Sequence, residues 1–160
     1  MKVFISGSIS IKKLPLSAVK KIDNIISKNI TILVGDAKGV DLSIQKYLFK
    51  KNYQNVFVYY AGKTIRNNVG QWQTKNIYAL HNEKGRNLYT LKDEQMANDT
   101  DYGLMIWDGE SKGTLNNIML MKNLNKQFFV VIDGMVVNNK QIDSILNIKH
   151  IEKDQQLDLF

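Results

Sequence analysis

The sequence predicts an α/β domain in three layers, a parallel sheet with helices on both faces. Three observations predict it. Short continuous apolar runs rich in β-branched and aromatic residues recur along the chain, segments with helical spacing lie between them, and small residues mark the exits of the runs. A strand covered on both faces has no solvent side, so it reads as an unbroken apolar run and not as an alternating one. Alternation of such runs with amphipathic helices implies parallel strands joined by right-handed crossovers, the Rossmann-like arrangement.

The runs are Val3 to Ile5, Ile30 to Val34, Val56 to Tyr60, Leu104 to Trp107 and Phe128 to Ile132. After the first, Leu16, Val19, Ile22, Ile25 and Ile26 share one face of a helix with Pro15 near its start. Val40, Ile44, Tyr47 and Leu48 mark a second helix, and Leu115, Ile118 and Met119 mark another after Thr114. The stretch 62–90 reads as a loop-rich insertion with a short helix around Trp72.

With 160 residues the chain buries roughly 70% of its unfolded surface, enough for one core. The single proline, Pro15, and the lack of a Pro/Gly/Ser-rich linker place no boundary inside residues 1–150, with 151–160 expected as a flexible tail. Net charge is +7, which suits phosphate-bearing anions and admits weak DNA affinity. The lysines are scattered, however, and there are only two arginines, Arg66 and Arg86. Cysteine is absent, which excludes disulfides, thiol nucleophiles and Cys-ligated zinc. His81 and His150 lie far apart with no metal-ligand spacing, so no metal site is expected. No apolar stretch reaches membrane-spanning length and the opening apolar run is too short for a signal peptide, so a cytoplasmic protein is expected.

In parallel sheets ligands bind outside the carboxyl ends of the strands, so the residues following each run carry the functional reading. Gly7, with Ser6 and Ser8, permits close backbone approach and offers hydroxyls. Gly35-Asp36-Ala37-Lys38-Gly39-Val40-Asp41 opens a helix whose free N–H groups attract anions. Asp36 or Asp41 is placed to bond a ribose hydroxyl; Asp41 equally reads as a first-turn carboxylate serving the helix dipole. Arg66 and Asn67 follow the third run, an arginine that forks onto phosphate and an asparagine that reads a base or ribose; Arg66 paired with a surface carboxylate is the plainer account. The strongest signal is Asp108-Gly109-Glu110-Ser111-Lys112-Gly113-Thr114 before a helix. Ser111, Lys112, Gly113 and Thr114 supply N–H groups, one ammonium and hydroxyls for a phosphate, although the spacing is not that of a P-loop. Thr114 as a simple N-cap is the alternative.

These pieces, over roughly Lys2 to Asp133, resemble the SLOG superfamily, which unites DNA-processing protein A, the cytokinin-activating LOG phosphoribohydrolases, molybdenum-cofactor carriers and the YspA-like proteins. The Asp108–Thr114 segment, with Asp101 ahead of it, is most similar to the YspA-like branch. The resemblance implies a nucleotide or nucleotide-derived ligand, of ADP-ribose or NAD type, with no resident cofactor required. LOG enzymes carry Pro-Gly-Gly-x-Gly-Thr-x-x-Glu. Here Gly113-Thr114 matches, Asn116 and Asn117 stand at the acidic positions, and the family's upstream arginine falls at Lys92. Asparagine cannot act as a general base, so binding is the safer inheritance than LOG-type hydrolysis. Part of the pattern is shared with the nucleoside 2-deoxyribosyltransferase-like N-hydrolases, which need a carboxylate near the sugar. That alternative, a nucleotide N-glycosidase, has Asp108 and Glu110 as its candidate catalytic pair, with Asp101 nearby. The apolar helix faces and the resemblance are compatible with a homodimer.

The chain closes with Gln156-Leu157-Asp158-Leu159-Phe160. This pentapeptide resembles the bacterial motif that binds the DNA polymerase sliding clamp: Leu-x-Leu-Phe fills a hydrophobic groove and Gln156 adds a polar anchor. The other reading folds these side chains back onto the domain. A DNA-metabolism accessory protein recruited by its tail is the third functional expectation. Deleting residues 156–160 should abolish sliding-clamp pull-down while leaving small-ligand affinity unchanged; retained pull-down removes the tail from that role.

Overall fold

The computed structural model describes residues 1–78, 86–147 and 149. In chain order the elements are β1 (Lys2–Gly7), α1 (Leu16–Ser27), β2 (Thr31–Gly35), α2 (Val40–Lys50), β3 (Val56–Ala61), β4 (Gln73–Ile77), α3 (Arg86–Asp99), β5 (Tyr102–Ile106), α4 (Lys112–Asn123), β6 (Gln127–Ile132) and β7 (Met135–Asn138). A helical stretch over 142–147 follows. The strands form one sheet in the order β4-β3-β2-β1-β5-β6-β7, parallel throughout except for the final β6–β7 pair. The expected Rossmann-like α/β architecture is therefore present, with one antiparallel edge.

Strand parity divides each apolar run between two cores. Val3, Ile5, Ile32 and Val34 pack with Ala18 and Ile22 of α1 and Ile44 and Leu48 of α2. Phe4, Leu33 and Met105 face the other way, onto Met96 of α3 and Ile118 and Met121 of α4. Burial on both faces explains why these strands show no alternation in the sequence.

Several elements differ from the sequence expectation. Around Trp72 there is no helix; a loop runs into strand β4, and Trp72 is buried with its Nε1 donating to the Tyr53 carbonyl at 2.9 Å. Together with Ile65 and Val69, Trp72 packs onto the α1/α2 core, in the position a crossover helix would cover between β3 and β4. Leu16 lies 70% exposed, because the buried face of α1 is centred on Ala18 and Ile22 and a residue two places from Ala18 points about 200° away. Met119 is likewise exposed, while Met121 takes its place in the core. Helix α4 begins at Lys112, ahead of Thr114, and Ser111 is its N-cap. The β6–β7 hairpin turns on Asp133-Gly134, both at positive φ (49° and 73°), as a type I′ turn requires.

Among the described residues no helix is long and apolar enough to cross a membrane.

Candidate ligand-binding site

The strand order reverses at β1, which lies between β2 and β5. Crossovers therefore leave in opposite directions and open a crevice beyond the carboxyl ends of β1 and β5. Ser8 fixes its floor. Its N–H donates to the Ile106 carbonyl at 3.0 Å, and its own carbonyl accepts from Ile11 at 3.2 Å and Val40 at 3.3 Å. Its Oγ accepts the Asp108 N–H at 3.0 Å and lies 3.2 Å from Thr114 Oγ1. One buried serine thus ties the β1 loop to the starts of α2 and α4.

Glycines allow this convergence. A Cβ on Gly7 would lie 2.3 Å from the Ile106 carbonyl oxygen, and one on Gly39, at φ 78°, would meet the Ile9 backbone at 2.4 Å. On Gly35 it would sit 2.3 Å from Asp41 Oδ2 and 2.6 Å from Lys92 Nζ. The space at Gly35 is thus filled by protein charges. Gly113 is different: a Cβ there meets nothing within 4 Å. The first turn of α4 is open to solvent at Lys112 and Gly113, while Ser111 Oγ accepts the Thr114 N–H at 3.5 Å and Thr114 is buried.

Beside this turn lies a buried ionic cluster. Lys92 Nζ stands 3.6 Å from Asp93, 3.9 Å from Asp36 and 4.0 Å from Asp41. Asp36 is fully buried and bound through both oxygens by Arg66, whose backbone N–H and Nε reach Oδ2 at 3.0 and 3.1 Å while Nη2 bonds Oδ1. Burial acts to raise the Asp36 pKa, but the Arg66 hydrogen bonds prevail and hold it below the ordinary 3.8. Asp41 has no such fork. Burial pushes it up to about 6, opposed by Lys92 and reinforced by Asp93. Asp93 is also raised, again chiefly by burial and against Lys92. Arg66 stacks over the Tyr89 ring, 4.4 Å from its centroid.

These groups surround a cavity of about 560 Å³. Of the expected residues, Gly7, Gly35, Asp41, Arg66, Ser111, Lys112, Gly113 and Thr114 line it; Ser8, Asp36, Gly39 and Asn67 support it from behind. Asn67 Nδ2 donates to the Asp36 carbonyl at 2.8 Å. Asp108 and Glu110 are not among the lining residues. Asp108 organises the loop instead: its Oδ1 accepts from the N–H groups of Glu110 at 2.9 Å and Ser111 at 2.7 Å, and its Oδ2 accepts from Ser10 at 2.6 Å. Although partial burial acts the other way, these bonds hold its pKa at about 2.

Tyr89 and Asp93 line the cavity without having been singled out in the sequence. Asn117, only 4% exposed, donates from Nδ2 to Ser6 Oγ at 2.8 Å, and its Oδ1 has no partner among the described residues. The signal for α3's contribution was the Leu88, Leu91, Lys92, Met96 spacing, obscured because one position on the inward face is a lysine. Residues 156–160, His81 and His150 lie outside the described residues.

Fold and site together define a Rossmann-like α/β domain with a charged crevice at its topological switch point. The chain is similar in fold to a solved structure of DNA processing protein A from Helicobacter pylori, with a TM-score of 0.64 and 16% identity, covering 97% of this chain and 81% of that one. That structure is described for its single-stranded DNA binding mode. At such identity the likeness is one of fold. No family model matches the chain, and no curated protein matches it.

Replacing Arg66 with Met strands Asp36 in the interior with Lys92 as its remaining cation. A loss of about 3 kcal/mol in unfolding free energy is expected by denaturant titration, against far less for Arg66→Met combined with Asp36→Asn. Equal losses in the two variants would show that the pair contributes by packing alone.

Proposed function

We propose that the crevice binds a nucleotide-derived molecule carrying phosphates, of ADP-ribose or NAD type. The observation that carries this reading is the open first turn of α4 facing a 560 Å³ cavity whose opposite wall is polar and charged. In this reading phosphate oxygens accept the unsatisfied N–H groups of Lys112 and Gly113, assisted by the helix dipole and the Lys112 ammonium. Tyr89, held by Arg66 and 41% exposed, offers a face for a base. The orphan Oδ1 of Asn117 accepts a hydroxyl or amino proton from the ligand.

One observation favours a second reading, hydrolysis of a nucleotide N-glycosidic bond. Asp41, raised to about 6, lines the cavity and is poised to exchange a proton near neutral pH. The acid–base role expected of Asp108 and Glu110 is then better served by Asp41, since both oxygens of Asp108 are already occupied. Recruitment to DNA metabolism remains compatible with the crevice and draws support from the fold likeness alone.

Isothermal titration with ADP-ribose tests the binding reading. Lys112→Ala should weaken affinity about tenfold with the melting temperature unchanged, and an unchanged affinity removes the α4 turn from the site. Affinity should also rise as pH falls from 7 to 5, because the Asp41 carboxylate, with a folded pKa of about 6, loses its negative charge over that range. The ligand's pyrophosphate diester does not titrate there, so Asp41→Asn should flatten the profile. Release of free base from a nucleotide panel, abolished by Asp41→Asn, is the outcome expected of the enzyme reading; no release at high protein concentration discards it.

A further inference from the structure

A second concavity lies on the α1/α2 face, away from the crevice. It encloses about 530 Å³, and its rim carries Lys12, Lys13, Lys38, Lys46 and Lys50. All five are exposed, and none forms an ion pair with a carboxylate among the described residues. Like charges gathered around one groove repel one another, and an acidic occupant turns that repulsion into attraction. The floor is apolar, formed by Leu14, Val19, Leu42 and the Tyr47 ring. Tyr47 is held in place by donating its hydroxyl to Asp23 at 2.6 Å, and Lys51 already pairs with that carboxylate at 3.3 Å. Ser43 Oγ donates to the Lys12 carbonyl at 2.8 Å, which pins the loop bearing Lys12 and Lys13 to α2. Such a groove suits a segment that is acidic and apolar at once.

Residues 150–160 of this chain have that chemistry. Glu152, Asp154 and Asp158 stand against one lysine, Lys153, and Leu157, Leu159 and Phe160 supply apolar surface. In an extended chain Leu157 and Leu159 point to one side and Asp158 to the other. The leucines can therefore lie on the floor while Asp158 meets the rim. The described chain also stops in a suitable place. Lys149 holds its ammonium 5.9 Å from the Trp107 ring centroid and against Gly109, where a Cβ would lie 2.5 Å from it. The neighbouring Asp108 accepts from Ser10 at 2.6 Å, two residues before Lys12. The segment thus starts beside the sheet edge that also bears the rim loop, and the eleven residues 150–160 reach roughly 36 Å when extended. A short tether keeps such a segment at an effective concentration on the order of millimolar, so even a weak contact stays occupied.

We infer that residues 150–160 dock in the α1/α2 groove of their own chain, with Leu157 and Leu159 on its floor and the acidic side chains among its lysines. A partner peptide of similar chemistry must compete with a segment already tethered beside the groove. Docking covers the apolar side chains that a partner's groove would need, so the segment is open to a partner only when released. Salt favours release by screening the rim lysines from the carboxylates. The inference does not depend on the crevice.

The chain has no cysteine, so a nitroxide attached through Gln155→Cys in the full chain reports by NMR where the segment lies. Amides of Leu42, Ser43 and Tyr47 should be broadened more strongly than those of α3. Raising salt to about 1 M, where screening shortens to roughly 3 Å, should relieve that broadening. Lys46→Gln with Lys50→Gln should lower the ratio of docked to released segment about fivefold, the scale of two exposed ion pairs. Lys63→Gln with Lys140→Gln, equal in charge and outside the groove, should leave the ratio unchanged. Leu157→Ala with Leu159→Ala should abolish the broadening without moving the melting temperature. In a mixture of nitroxide-bearing chains with nitrogen-15 chains that carry no nitroxide, the groove signals should stay sharp. Sharp groove amides in the nitroxide-bearing chain, broadening centred on another face, an equal loss in the Lys63/Lys140 variant, or broadening between chains in the mixture would each overturn the inference.

Discussion

A lysine buried among three carboxylates constrains the centre of this molecule. Lys92 supplies from α3 the positive charge that allows Asp36 of the β2–α2 loop and Asp41 of the first turn of α2 to face the interior. Removing charges from water is costly unless they are paired and hydrogen-bonded, and here the compensation is unequal. Asp36 receives the Arg66 fork as well as the field of Lys92, whereas Asp41 receives one backbone N–H from Ala37 at 3.2 Å and the more distant ammonium. Two aspartates five positions apart, one in the β2–α2 loop and one in the first turn of α2, are consequently driven in opposite directions, one structural and ionised, the other able to change protonation near neutral pH.

That cluster also joins the two halves of the sheet. The β2–α2 loop belongs to the side that winds outward through β3 and β4, while α3 leads back across β1 to β5. The ionic contacts therefore span the switch point and hold the two crossovers against each other, with Gly35 leaving just enough room for the side chains to meet. The ionic cluster and the cavity share these residues, since Asp41, Lys92 and Arg66 all line it.

The parts of this architecture legible in the sequence were those governed by burial. Five strands covered on both faces wrote themselves as apolar runs, and the helices beside them showed their period. What escaped was governed by other forces. Strand β4, Gln73-Thr74-Lys75-Asn76-Ile77, is a polar edge with no hydrophobic signature, and α3 carries a lysine on its inward face, so its periodicity breaks. The hairpin to β7 was signalled by Asp133-Gly134 between hydrophobic residues, a local turn code distinct from the burial pattern. At the site, loop composition located the α4 turn, yet the partners of Arg66 and Lys92 depend on residues dozens of positions away, which spacing alone does not encode. The same holds for Asp108, whose role is visible only once Ser10 and the following N–H groups are seen closing around it.

The polar character of β4 has a consequence for how copies of the chain meet. A terminal strand with unmet backbone groups is a template on which a foreign strand can grow, and natural sheets discourage this with charge and hydrophilic side chains. Here Lys75 is engaged with Asp99 on the helix beneath and the outward residues are hydrophilic, so a stranger docking along that margin would bury polar groups with little apolar reward. The sheet is in this way guarded against indefinite lateral extension on that side.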